Sequence, residues 1–183
     1  MRNLFLFALL LIVIQVPAQK SKFGLQTLVQ GGLLEGETGS AFQLQAINGV
    51  RHKTWAAGVG AGLDYYHARS VPLFLNLRKT FGSGKAPFLY VSGGYNFPWL
   101  RVQDKEWNYQ SAKTGLYYDA GIGYQLPVLK NSALLFSAGY SVKEYSTKAY
   151  SDVVIAIYPS PPSDARTFDY TLRRISIKAG LRF

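Results

Sequence analysis

The side chains of this sequence that could do chemistry are few, and most are charges set among apolar neighbours. Asp64 and Asp119 each lie where every second residue is apolar, on the face that the apolar residues leave free. Arg78, Lys143, Arg174 and Lys178 occupy the same kind of position, with Gln26, Gln43, Gln45 and Asn76 as polar company. If that face is enclosed, the charges must pair, because a charge left uncompensated away from water costs several kcal/mol. Two chemistries fit: a hydrogen-bonded network that braces an interior, or a path for protons or ions. Imidazole chemistry has two places to live, His52 and His67, and His67 lies close in sequence to Asp64 and Ser70. With no cysteine in the chain, thiol catalysis, cysteine–metal sites, disulfides and a lipid-modified N-terminus are excluded. No catalytic residue, cofactor site or metal site is expected.

The elements that would position these charges are strands. From Arg174 to Phe183 the chain alternates strictly, with Ile175, Ile177, Ala179, Leu181 and Phe183 on one face and Arg174, Ser176, Lys178, Gly180 and Arg182 on the other. Successive strand side chains point to opposite faces, so this is a strand with one greasy and one polar side. Seven further segments repeat the pattern. Their apolar faces are Phe23, Leu25 and Val29 (near Lys22 to Gln30), then Phe42, Leu44 and Ala46 (near Ser40 to Ile47), then Trp55, Ala57, Val59, Ala61, Leu63 and Tyr65 (near Thr54 to Tyr66). Val71, Leu73, Leu75 and Leu77 follow, then Leu89, Val91, Tyr95 and Phe97, then Leu116, Tyr118, Ala120, Ile122, Tyr124 and Leu126, and finally Leu134, Phe136, Ala138, Tyr140 and Val142.

Short turns are expected at Asn48 to Lys53, where Asn48-Gly49 is a tight-turn dipeptide, at Lys79 to Ala86 and at Pro127 to Ser132. The alternate connections are Gly31 to Gly39, His67 to Ser70, Pro98 to Thr114 and Ser146 to Phe168. Three turns on one side and four loops on the other, with an even strand count, is the asymmetry of an outer-membrane barrel. The expectation is an all-β fold, an eight-stranded antiparallel up-and-down transmembrane β-barrel spanning residues 19–183. Residues 1–18 read as a cleaved signal peptide: Arg2, an apolar run from Leu4 to Val16 too short to span a bilayer, and Val16-Pro17-Ala18.

The polar face decides between a soluble and a membrane barrel. Gly58, Gly60, Gly62, Ser92, Gly94, Gly121, Gly123, Ser137, Gly139 and Gly180 occupy its middle, where a water-facing strand would carry threonine, lysine and glutamate. Small residues make room inside a narrow barrel for large ones across it, here Tyr66, Phe74, Arg78, Tyr117, Arg174 and Lys178. The apolar face is ordered vertically, with Trp55, Tyr124, Phe136 and Phe183 toward one end and Tyr65, Tyr95, Phe97, Tyr118 and Tyr140 toward the other, as aromatic girdles are. Arg173 falls at the edge of that band.

On these residues the whole stretch after Ala18 resembles the small eight-stranded outer-membrane barrels, the OmpA-like transmembrane domains and OmpX among them. The resemblance implies that Ile177, Ala179, Leu181 and Phe183 form a C-terminal signal read by the barrel-assembly machinery. It also implies outer-membrane lipid and lipopolysaccharide as surroundings, in a Gram-negative bacterium. Lipid A-modifying barrels offer a comparison for His67, Asp64 and Ser70, but the deacylases carry histidine and serine two residues apart on one strand, and no such pair occurs here.

The function expected is therefore non-enzymatic: an integral outer-membrane barrel with a structural or surface-interaction role, its lumen plugged by side chains. A narrow channel or hydrophobic-ligand conduit is the alternative, and an outer-leaflet lipid A-modifying enzyme the third reading. Nucleic acid is not an expected partner despite the formal charge of +10, because export removes the chain from it. The run Val153-Val154-Ile155-Ala156-Ile157-Tyr158 is greasy for a loop. It suggests either that strands seven and eight continue as a protruding hairpin packed on the 98–114 loop with Trp99 and Trp107, or that loops 98–114 and 146–168 bind a surface partner. Every acidic residue falls in a loop or the outer half of a strand, leaving a basic rim of Lys20, Lys22, Arg51, Lys53, Arg78, Lys79, Lys85, Lys130 and Arg182 at the turn side.

Overall fold

A computed structural model describes residues 23–82, 84–99, 109–129, 131–149 and 166–183. The expected leader at 1–18, Lys20, Lys22, Trp107, Lys130 and the apolar run 153–158 lie outside the described residues. Eight strands follow one another: β1 Gly24–Gly36, β2 Gly39–His52, β3 Trp55–Asp64, β4 Ser70–Thr80, β5 Ala86–Pro98, β6 Tyr109–Pro127, β7 Ala133–Ala149 and β8 Arg166–Arg182. Each pairs antiparallel with the next and β8 closes on β1, giving an up-and-down barrel with no free edge.

The register fixes the shape. Following paired residues once around the barrel, from Ser70 through Asp64, Gln43, Gly32, Lys178, Ser137, Gly123 and Phe88, returns to β4 at Thr80, ten residues further on. With strands about 4.8 Å apart and about 3.3 Å per residue, that stagger sets a tilt of roughly 40°. The start of β1, the end of β8 and three turns then gather at one end, and the other ends of the strands face the opposite way.

The faces divide as the alternation requires. Val59, Leu75, Ile122 and Ile177 are each more than 60% exposed on the outside, whereas Phe74, Tyr117, Arg174 and Lys178 are 3% exposed or less. Glycine is needed where strands carry bulk opposite: a Cβ at Gly60 would enter the Phe74 ring, and one at Gly123 the Phe88 ring.

Several boundaries differ from the sequence expectation. Asn48-Gly49 does not turn. It lies within β2, where Asn48 accepts a 2.7 Å hydrogen bond from the Thr27 hydroxyl and Gly49 lets the β3 backbone approach too closely for a Cβ. The reversal comes at Lys53, which adopts the left-handed φ of 54°. Gly31 to Gly39 is mostly strand, and the β1–β2 reversal is confined to Glu37 and Thr38 with Gly39 at φ 102°. β6 begins at Tyr109, inside the expected 98–114 loop, and carries an extra residue between Thr114 and Tyr117 relative to β7. β7 and β8 stay paired from Val142↔Arg173 to Ala149↔Arg166, so both ends of the expected 146–168 loop, residues 146–149 and 166–168, are strand. Val142, expected on the outer face, is 1% exposed beside the β6 irregularity. Leu28, Leu34 and Ile47 point to no apolar outside either; all three are buried.

Candidate functional site

The charges of the polar face meet in two clusters. Asp64 ends β3, where its Oδ1 accepts from the Tyr66 backbone N–H at 2.9 Å, a local bond that shapes the start of the β3–β4 connection. The same oxygen lies 3.0 Å from the Lys143 ammonium of β7, and Oδ2 accepts from the Arg174 guanidinium of β8. Lys143 also donates to the carbonyls of Tyr66 at 2.7 Å and Ala68 at 2.9 Å and to the Ser70 hydroxyl at 3.2 Å. Its ammonium thus ties the loop to the far wall. Arg174 donates to Ser141 Oγ at 2.9 Å and lies 5.3 Å from the Tyr66 ring centre.

The second cluster centres on Asp119 of β6, whose Oδ2 pairs with the Lys178 ammonium of β8. Tyr90 donates to its Oδ1 at 2.9 Å, Ser176 to Oδ1 at 3.3 Å and Tyr117 to Oδ2 at 3.4 Å. Gln45 donates to the Tyr117 hydroxyl at 2.8 Å and Gln30 to Gln45 at 2.6 Å, so one hydrogen-bonded chain crosses from β1 through β2 to β6 and β8. All of these carboxylates and cations are within a few per cent of complete burial.

Arg78 departs from the expectation that grouped it with the carboxylates. It is buried, but it lies 5.3 Å from the Phe88 ring centre, and the structure brings it to neither Asp64 nor Asp119. It lies instead beside an apolar cluster unannounced by the sequence, to which Leu28, Ile47, Phe74, Phe88 and Leu135 belong. A small pocket there, bordered also by Gln30, Asn76, Arg78 and Ser137, has room for about one water.

His67, Asp64 and Ser70 do not assemble a catalytic trio. Asp64 and Ser70 both serve Lys143, while His67 Nδ1 contacts the Tyr145 hydroxyl, whose ring stacks on Tyr170 at 5.0 Å. Burial, with the Lys143 charge second, holds the His67 imidazole below its ordinary pKa. Among the described residues no group of His, Asp and Glu side chains gathers in a way that could hold a metal ion.

On the outside, Trp55, Tyr65, Tyr95, Tyr118, Tyr124 and Tyr140 are all exposed, as are Ile177 and Phe183; Ala179 is exposed and Leu181 half-buried. Arg69 and Lys79 lie over outer aromatic rings, Tyr65 at 5.1 Å and Trp55 at 4.3 Å.

Solved structures share this architecture. Neisserial surface protein A superposes with a TM-score of 0.58 at 16% identity, over 88% of this chain and 96% of that one. The fold is that of the small outer-membrane β-barrels. OprG, an outer membrane protein of Pseudomonas aeruginosa, superposes with a TM-score of 0.59 at 11% identity, over 86% of this chain and 95% of that one. No protein-family model matches the sequence, and no curated protein does.

Proposed function

We propose that this chain is an integral outer-membrane barrel without enzymatic activity, whose lumen is plugged by its own side chains and whose role is structural or surface-interacting. The observation that carries the reading is the stack inside the barrel: the Asp64 cluster, the Asp119 cluster and the apolar layer of Leu28, Phe88 and Leu135 succeed one another along the axis. An eight-stranded interior is just wide enough to be filled by side chains, and an ion crossing it would have to break buried pairs and then pass an apolar layer. The outer face supports insertion in a bilayer, since aliphatic side chains exposed on every strand would be an aggregation liability in water.

In this reading the chain is exported by the leader at 1–18, handed to the barrel-assembly machinery through the Ile177 to Phe183 ending, and surrounded by phospholipid and lipopolysaccharide. The long β7–β8 hairpin and the 98–114 connection offer the surface for a partner. Planar-bilayer recording of the refolded chain tests the plug. Silence at moderate voltage is expected; discrete ohmic steps that change on substituting Asp119 or Arg174 would overturn it in favour of a narrow channel.

A further inference from the structure

We infer that the turn-side mouth of the barrel is an anion site, in which Arg78, Arg182 and Arg51 receive a phosphate group from a soluble compound or a lipid headgroup. Arg78 is the starting point. It is 3% exposed, yet among the described residues it has neither an ion-pair partner nor a hydrogen-bond partner, and its contact is the flat face of Phe88. The charges of Arg182 and Arg51 act on it, and both carry its own sign. Its guanidinium nitrogens are not sealed from solvent, so like charges share a narrow, partly wet mouth, an arrangement that a bound negative group would relieve.

The register shows how the three converge. Arg51 of β2 and Arg78 of β4 flank Ala56 of β3 in one row of paired residues, and Arg182 enters from β8, four strands around the barrel from β4. Alanine fills several inward positions at this end, Ala56, Ala86 and Ala133, which leaves room between the arginines. Arg182 is steadied by donating to Gln125 Oε1 at 3.0 Å, and Gln125 is itself held by the Gly84 carbonyl at 3.1 Å. Arg51 donates to the Lys53 carbonyl at 3.3 Å and remains exposed.

Among the described residues no carboxylate side chain neutralises the group. Asp64 and Asp119 are engaged with Lys143, Arg174 and Lys178, and Glu35, Glu37, Glu144 and Asp169 lie in or beside the opposite ends of their strands. Guanidinium forks arriving from three directions match a tetrahedral oxyanion, whose several oxygens can each accept; a planar carboxylate presents two. The pocket that Arg78 borders, lined also by Leu28, Ile47, Phe88 and Leu135, has room for about one water, so the anion would be held at the mouth rather than passed through.

The full chain, refolded into phosphatidylcholine nanodiscs and labelled with 15N-arginine, is titrated with inorganic phosphate and followed by NMR. A parallel sample uses nanodiscs containing phosphatidylglycerol and no phosphate. Saturable shifts of the Arg78, Arg182 and Arg51 signals are expected in at least one arm, the phosphate arm assigning a soluble ligand and the phosphatidylglycerol arm a headgroup. Arg78→Gln should weaken the apparent affinity at least tenfold. Arg51→Gln, an exposed change that leaves folding intact, should weaken it about threefold, and raising salt should weaken it further. Unsaturable or absent shifts in both arms, or affinities within twofold of the parent in both variants, would overturn the site.

Discussion

Replacing Asp64 by asparagine preserves shape and the Tyr66 N–H bond but removes the charge that Lys143 and Arg174 share. Those cations are 0% and 1% exposed, so water cannot take over. Removing one partner of a buried pair costs about 3–5 kcal/mol, and here two cations lose the same partner, so D64N should fall at the upper end. Lys143→Met is the contrast. It leaves Asp64 paired with Arg174 and gives up the bonds to the Tyr66 and Ala68 carbonyls and the Ser70 hydroxyl, which is worth about 1–3 kcal/mol. Urea unfolding in lipid vesicles, followed by tryptophan fluorescence and gel mobility, measures both. The double variant should be at least about 1 kcal/mol less damaged than the singles add up to, because the ammonium stranded by D64N is gone. A D64N loss under about 1 kcal/mol, or K143M more harmful than D64N, would refute the reasoning.

Gly60→Leu should cost about 1–3 kcal/mol or block folding in the same assay, since even its Cβ meets the Phe74 ring; a neutral result would mean that the interior is loose. Lys53→Gly relieves a left-handed φ of 54° and should stabilise by about 0.5–1 kcal/mol, seen as a higher urea midpoint. Leu75→Arg places a cation on the outer face in mid-strand, where Leu75 is 68% exposed. It should cost about 2–4 kcal/mol in vesicles if that face meets hydrocarbon, against under 0.5 kcal/mol for an ordinary water-facing site.

Much of the barrel was legible because a period of two is strict wherever one face is greasy. Trp55 to Tyr65 and Ile175 to Phe183 declare their faces without help from the rest of the chain. Strand ends were less legible, since above and below the apolar band the outer face turns polar and the alternation fades. That is why the last rungs of β7 and β8, Thr147↔Phe168 to Ala149↔Arg166, read as loop. Asn48-Gly49 misled for a related reason: a local turn signal was overruled by register, and its glycine serves the close approach of β3. The identities of the buried charges could be read, but not their grouping. Which carboxylate takes which cation depends on a ten-residue stagger accumulated around eight strands. Leu28 and Ile47 break the polar-inside rule, and only neighbours distant in sequence, Phe74, Phe88 and Leu135, give them a reason to.

Because the sequence has no native cysteine, a single spin label can be placed at will. Labels at Val59, Leu75 and Ile177, in protein refolded into phospholipid bilayers, report collision with oxygen dissolved in lipid against a water-soluble nickel chelate. Strong oxygen and weak nickel collision at all three is the result this account requires. Strong nickel collision there, or labels immobilised in a dry interior while positions 60 and 121 meet bulk water, would contradict it.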